Sequence, residues 1–269
     1  MPFEFDEDTA VTPLGDHAWA AEVSPGWNVG TIPNGGYLMA LALSAVDSAV
    51  AHPDPLTVTA HFLGRVASGQ PATIEIEVLR EGRTLSTACA RLIQGERERL
   101  RLLATYGDLE ASQGPTLITA EPPSISPPEE CIRNDVARAT MEIQKRFDLR
   151  LEPSVAGGAI GQPIGRPEMG GWIRFLDGRD PDLKSLALFA DAFPPTVLNL
   201  EKFGWVPTIE LTIHFRAKPT PGWLLAWFTS RFLIESHIEE DGEIWDSEGN
   251  LVALSRQLSR ILPRDSSGP

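Results

Sequence analysis

Only a few residues in this 269-residue chain pair a chemically capable side chain with a setting that could use it. Asp191 is the first. It lies inside the apolar run 183–200, among Leu186, Leu188, Phe189, Ala192 and Phe193. An ionised carboxylate there is costly unless it is hydrogen-bonded or solvated. One that is held and still reaches water can act as a general base. An acid on an ordinary exposed helix face is the other reading, with Asp47 as a plain counterpart in an earlier apolar run, and periodicity does not choose between them. His61 and His214 come second, because imidazole titrates nearest neutral pH. Both stand in the same pattern, Thr-x-His-Phe at 59–62 and 212–215, and that repetition favours a structural role. Third is Gly35-Gly36, straight after Asn34. The first N–H groups of a helix have no partner within it and carry partial positive charge, and glycines allow close approach to them. A plain turn is the simpler reading.

The elements that must carry these residues are legible from period and punctuation. Residues 209–216 alternate, with Ile209, Leu211, Ile213 and Phe215 on one parity and Glu210, Thr212, His214 and Arg216 on the other, which predicts a half-buried strand. Pro-Thr-Pro-Gly then turns the chain into a second apolar run. Residues 56–70 echo this stretch, and the strand-like runs and turns after each copy match in kind. The pattern predicts a duplicated unit of about 110–130 residues, too long for the roughly 20–50-residue repeats of a solenoid. Residues 37–50 are apolar on nearly every side and predict a buried helix capped by Asn34, and 183–200 predict a second one, ended or kinked by Pro194-Pro195. Residues 3–29 read as short strands, 137–147 as a short helix or an irregular strand, 154–170 as loop, 171–176 as strand, and 264–269 as a frayed tail. The fold class is α+β: two tandem units, each an antiparallel sheet wrapped round a central helix, at 1–108 and 146–269, with a Pro-rich linker at 109–145.

Composition narrows the partners. A formal charge of −14, with 42% hydrophobic and 22% charged residues, describes a globular protein and argues against nucleic acid or an anionic membrane surface. No apolar run is long enough to span a bilayer, and the acidic start lacks the form of a signal peptide. Cys89 and Cys131 make no metal or disulfide pattern. Scattered His and Cys give no metal site, and there is neither a Gly-x-Ser-x-Gly elbow nor a phosphate-binding fingerprint. A cytoplasmic protein without cofactor or metal is expected.

In sequence order, Asn34-Gly35-Gly36-Tyr37, Leu188-Phe189-Ala190-Asp191, Thr212-Ile213-His214-Phe215, Gly222-Trp223-Leu224-Leu225 and 251–257 together resemble the TesB-like acyl-CoA thioesterases, which are double-hotdog proteins. The resemblance covers nearly the whole chain. It implies a catalytic set of an acid, a hydroxyl and a glutamine, falling here on Asp191, Thr212 and Gln257. In the first unit Thr59 matches Thr212 but Tyr106 stands where Gln257 does, which implies one working site per chain. The family more often has Gly-Gly-Gln where this chain has Gly-Gly-Tyr, so Tyr37 is expected to reshape the acyl pocket. Asp191 would be the base, Gln257 and Thr212 would orient water, and a threonine without a neighbouring base is a poor nucleophile, which favours direct water attack. Gly35 and Gly36 are candidates for the oxyanion site. Arg216 and Lys218, or Arg80 and Arg83 at a turn, are candidates for CoA phosphates. The expected activity is hydrolysis of acyl-CoA to free acid and CoA. The rivals are a hotdog hydratase or dehydratase, in which His214 would have to face Asp191, and a non-catalytic acyl-CoA-binding module. A homodimer is the expected assembly.

Overall fold

A computed structural model gives the structure of residues 2–201 and 203–263; the tail at 264–269 lies outside the described residues. The chain begins with a short helix, α1 (Glu4–Asp8), followed by strands β1 (Val11–Gly15) and β2 (Ala18–Glu22). The hairpin of β3 (Asn28–Val29) and β4 (Ile32–Pro33) delivers the chain into the long helix α2 (Gly35–Ala49). Strands β5 (Asp54–Phe62), β6 (Pro71–Glu81), β7 (Ser86–Gln94) and β8 (Arg97–Gly107) complete the first unit. The second brings β9 (Ile132–Arg133), β10 (Phe147–Leu151), β11 (Glu168–Phe175), helix α3 (Leu183–Phe189), β12 (Thr208–Phe215), β13 (Leu224–Thr229), β14 (Leu233–Ile234), β15 (His237–Trp245) and β16 (Leu251–Arg260).

One antiparallel sheet runs through both units in the order β1-β2-β6-β7-β8-β5-β12-β16-β15-β13-β11-β10-β9, with β14 beside β15. Outward from the β5–β12 seam, β8, β7, β6, β2 and β1 on one side answer β16, β15, β13, β11 and β10 on the other. That mirrored order is the duplication in three dimensions. The seam centres on the repeated motif itself: Thr59 lies directly opposite Thr212. Their hydroxyls meet at 2.8 Å, a cross-strand pair of β-branched residues of the kind that pins register.

Helix α2 lies against the sheet and touches α3, whose Phe189 packs on Phe147 of β10 and Phe175 of β11. Every residue of α2 from Gly36 to Val46 is buried, as an all-round apolar helix must be. Gly36 is where the helices come closest. A Cβ there would stand 2.3 Å from the Ala187 carbonyl oxygen, so only glycine permits this contact.

Four expectations are corrected. The second helix is not continuous over 183–200. It ends at Phe189, and after the prolines the chain makes only the 3-10 turn Thr196–Asn199. Pro194 has no N–H to give Ala190, and its ring pushes the residue before it out of the helical region. Asp191 therefore sits just past the cap residue Ala190 rather than mid-helix. Residues 4–8 form α1 rather than a strand, burying Phe5 against Trp27 and Phe175. The second apolar run, after Pro-Thr-Pro-Gly, gives not one strand but two, β13 and β14. Residues 137–147 yield 3-10 turns, and β9 pairs with β10, so the sheet of the second unit starts inside the stretch read as linker.

Candidate active site

The site begins where α2 does. Asn34 caps the helix, its Oδ1 accepting the Tyr37 N–H at 2.9 Å. The other end of the same carboxamide reaches the second unit: Nδ2 donates to Asp191 Oδ2 at 2.8 Å and to the Asp191 carbonyl at 2.7 Å. The Gly36 N–H donates to the same Oδ2 at 3.0 Å. The carboxylate thus sits at the positive end of α2, where a helix favours an anion. A Cβ on Gly35 would lie 3.0 Å from that oxygen and 2.8 Å from the Phe62 ring, so a side chain there would dislodge the acid.

Burial still outweighs these donors. Desolvation pushes the Asp191 carboxyl up to about 6, against the pull of the Gly36 and Gly35 amides and Asn34. The side chain keeps some contact with solvent. Asn34 and Gly36 both bond the same oxygen, Oδ2. A partly accessible carboxylate titrating near 6 is suited to take a proton at neutral pH.

Gln257 faces inward from β16, opposite Leu211 of β12 on one side and Glu240 of β15 on the other. Its Nε2 donates to Ser259 Oγ at 2.8 Å. Thr212 is not with them. It pairs with Arg256 and Thr59 on the opposite face of the sheet, its hydroxyl donating to Glu210 Oε1 at 2.5 Å. The hydroxyl on the inward face is Thr208, directly opposite Ser259. The register shifts between Thr208 and Glu210, so the two residues, though of equal parity, face opposite sides. Nothing in the alternation of 209–216 signals this bulge. Glu240, also missed, was visible in principle: it is an acid on the parity of Ile238, Gly242 and Ile244, all buried.

Other expected participants lie elsewhere. The Tyr37 side chain is wholly buried, stacked 5.7 Å from Trp27, its hydroxyl accepting from the Ser24 N–H at 3.0 Å and donating to the Asp8 carbonyl at 2.8 Å. It holds the N-terminal segment. Lys218 is paired with Glu110 at 3.0 Å and Asp54 at 3.4 Å, and lines a cleft of about 290 Å³ with Asp47, Asp182 and Lys184. Asp47 is about three turns, roughly 16 Å, along α2 from Gly36. Lys218 therefore stands at the opposite end of α2 from Asp191. Arg216, exposed just beyond β12, stands at that same end. Arg80 and Arg83 are exposed around the β6–β7 turn. His61 and His214 are exposed on the outer face, so His214 does not face Asp191. At the end where Asp191 would have its counterpart, the Tyr106 hydroxyl donates to Asp47 Oδ1 at 2.7 Å, filling the place of Gln257 with a closed pair.

Both halves of the chain match known proteins. Residues 23–107 match the model of an acyl-CoA thioesterase N-terminal domain, and 128–261 that of an acyl-CoA thioesterase C-terminal domain. A Thermobifida fusca structure described as a candidate thioesterase II is 34% identical, with a TM-score of 0.89 over 96% of this chain and 97% of the other. A hot dog protein of unknown function from Alicyclobacillus acidocaldarius shares the fold at a TM-score of 0.87 and 23% identity, covering 97% of this chain and 99% of the other. The thioesterase-like protein TwmA of Talaromyces wortmannii is 26% identical over 96% of this chain and 92% of its own. Matched in both halves by the paired domains of one family, and built as two fused hot dog units, the chain belongs to the acyl-CoA thioesterases.

Proposed function

We propose that the chain hydrolyses an acyl-CoA to the free acid and CoA by direct attack of a water that Asp191 activates. The observation that carries this reading is the Asp191 carboxylate at the start of α2, its Oδ2 held by Asn34 and Gly36, with burial raising its proton affinity into the range of a working base. Ionised Asp191 takes a proton from the water through Oδ1 as the water oxygen adds to the thioester carbonyl. Gln257 and Thr208, on the inward face of β16 and β12, orient that water. On collapse, the C–S bond breaks and the thiolate takes the proton back from Asp191.

As the carboxylate is protonated, negative charge leaves it and develops on the carbonyl oxygen. The Gly36 N–H stays on Oδ2, which remains an acceptor once Oδ1 is protonated, and the α2 dipole then favours the oxyanion. For the CoA phosphates the reading turns to Arg65. It follows Phe62, whose ring approaches Gly35, and bonds Thr31 Oγ1 at 2.6 Å on the turn leading to Asn34. The hydratase reading loses its support, because its histidine is on the other face of the sheet.

The test is thiol release from short, medium, long and aromatic acyl-CoAs by wild type and Asp191→Ala. Release lost in the variant sustains the reading. Tight acyl-CoA binding without release from any member would leave the binding-module alternative in its place.

A further inference from the structure

The duplication supplies an internal comparison for the inward face of the sheet. In the second unit Gly242 of β15 lies between Ser255 of β16 and Phe228 of β13. In the first unit Ala90 of β7 lies between Leu102 of β8 and Ile76 of β6. Ser255 and Leu102 stand opposite Ile213 and Ala60, the residues that follow Thr212 and Thr59 in the repeated motif, so these positions correspond. Two residues earlier on β7 the first unit has Ala88, wholly buried opposite Val78. At the same place on β15 the second unit has Glu240.

An acid at an inward position is costly unless it is bonded, and the first unit shows that the fold needs none there. Glu240 is propped from behind: Oε2 accepts the Thr196 N–H at 2.9 Å, and Thr196 Oγ1 meets Ser230 Oγ at 2.7 Å. Thr196 and Ser230 are buried, whereas Glu240 is only half-buried. The two hydroxyl residues therefore hold the acid, and the acid is the member that a ligand can meet. Thr196 ends the segment that leads away from Asp191, and Phe193 within that segment packs on Phe228 of the neighbouring strand at 5.2 Å. Directly across from Glu240 on β16 is Gln257, on the same inward face. Neighbouring strands lie about 5 Å apart, so a group bonded to Glu240 sits within a few carbon atoms of a thioester carbonyl at Gln257.

We propose that Glu240 is a specificity-determining residue of this site: it accepts a hydrogen bond from a hydroxyl or amine on the first few carbons of the acyl group, so that the substrate class is a hydroxyacyl- or amino-substituted acyl-CoA rather than a plain alkanoyl-CoA. The inference rests on the hydrolytic reading above and adds to it the kind of acyl group. A carboxylate accepts from such donors and repels a second carboxylate, which disfavours dicarboxylic acyl groups. A plain alkyl chain in the same place would strip the acid of water and return no hydrogen bond, which is how a site built for a donor rejects the analogue lacking it.

The experiment measures kcat/KM for thiol release from hexanoyl-CoA, its α-hydroxy, β-hydroxy and β-amino derivatives and hexanedioyl-CoA, by wild type, Glu240→Gln and Glu240→Ala. The last variant gives the second unit the residue that the first already carries. For wild type the best donor-bearing derivative is expected at least about tenfold above hexanoyl-CoA. Glu240→Gln, which keeps an acceptor oxygen, is expected to retain part of that ratio, and Glu240→Ala to bring it close to one. A merely structural Glu240 would lower the unfolding midpoint and the rates on all members together and leave the ratio unchanged. That result overturns the proposal, as does a wild type that takes the plain or the dicarboxylic member as fast as the donor-bearing ones. The wild-type comparison decides alone if Glu240→Ala does not fold. If no thioester is hydrolysed, the hydrolytic reading falls by itself, and calorimetric binding of the same compounds to wild type decides the subsite: tighter binding of a donor-bearing member sustains it, and equal or weaker binding overturns it.

Discussion

Replacing Asp191 by asparagine should stabilise the protein at neutral pH while removing its turnover. The carboxyl is raised from 3.8 to about 6 in the folded state. Its folded pKa exceeds its unfolded one, so the contribution of the protonated acid is fully present below pH ~4. That contribution is lost as pH rises through ~6. Two pKa units correspond to about 3 kcal/mol, an upper figure because the side chain still touches solvent. Asparagine keeps an oxygen to accept from Gly36 and Asn34, carries no charge and is nearly the same size. The difference in unfolding free energy between variant and wild type should therefore grow from near zero at pH 4 to about 3 kcal/mol at pH 8. For a chain of this length that is a midpoint difference of about 5 °C. Denaturant or thermal unfolding at half-unit steps of pH reads it, and titrating groups out of reach of the Asp191 charge cancel in the difference. In the same series, wild-type kcat/KM should fall below pH ~6 as the base is protonated, and the variant should lose at least about 10²-fold in kcat. A stability difference that does not change with pH, or an acid limb far from 6, would refute the assignment of a desolvated, ionisable base to this position.

Thr208→Val should lower kcat by about tenfold or more, whereas Thr212→Val should leave turnover intact and cost at most about 1 kcal/mol through the lost Thr59 hydrogen bond; parallel rate and unfolding measurements separate the two. Gly36→Ala should destabilise by about 1–3 kcal/mol or more, since its Cβ meets the Ala187 carbonyl, and calorimetry or soluble yield will register it. Tyr37→Phe strips the Ser24 N–H of its acceptor and should cost about 1–3 kcal/mol with the acyl-chain preference unmoved; a changed preference across the substrate panel would return Tyr37 to the acyl pocket.

The expected fold was present in the chain as pattern. Strict alternation at 209–216, the recurrence of Thr-x-His-Phe and two apolar helical runs are local signals. They arise because each strand has one face to bury and each central helix is buried nearly all round. Asp191 stood out for the same reason, as a charge where burial was predicted. Much of the expected site was not local. A single extra residue at Ile209 turns Thr208 inward and leaves Thr212 outside, and a bulge is a property of the partner strand as much as of its own sequence. The need for glycine at position 36 depends on a carbonyl some 150 residues away. The sequence alone determined two fused units, their buried helices and an anomalous acid. The tertiary structure decided which hydroxyl lies on the inward face of the sheet and which backbone amides hold that acid, because those depend on register and distance between segments remote in the chain.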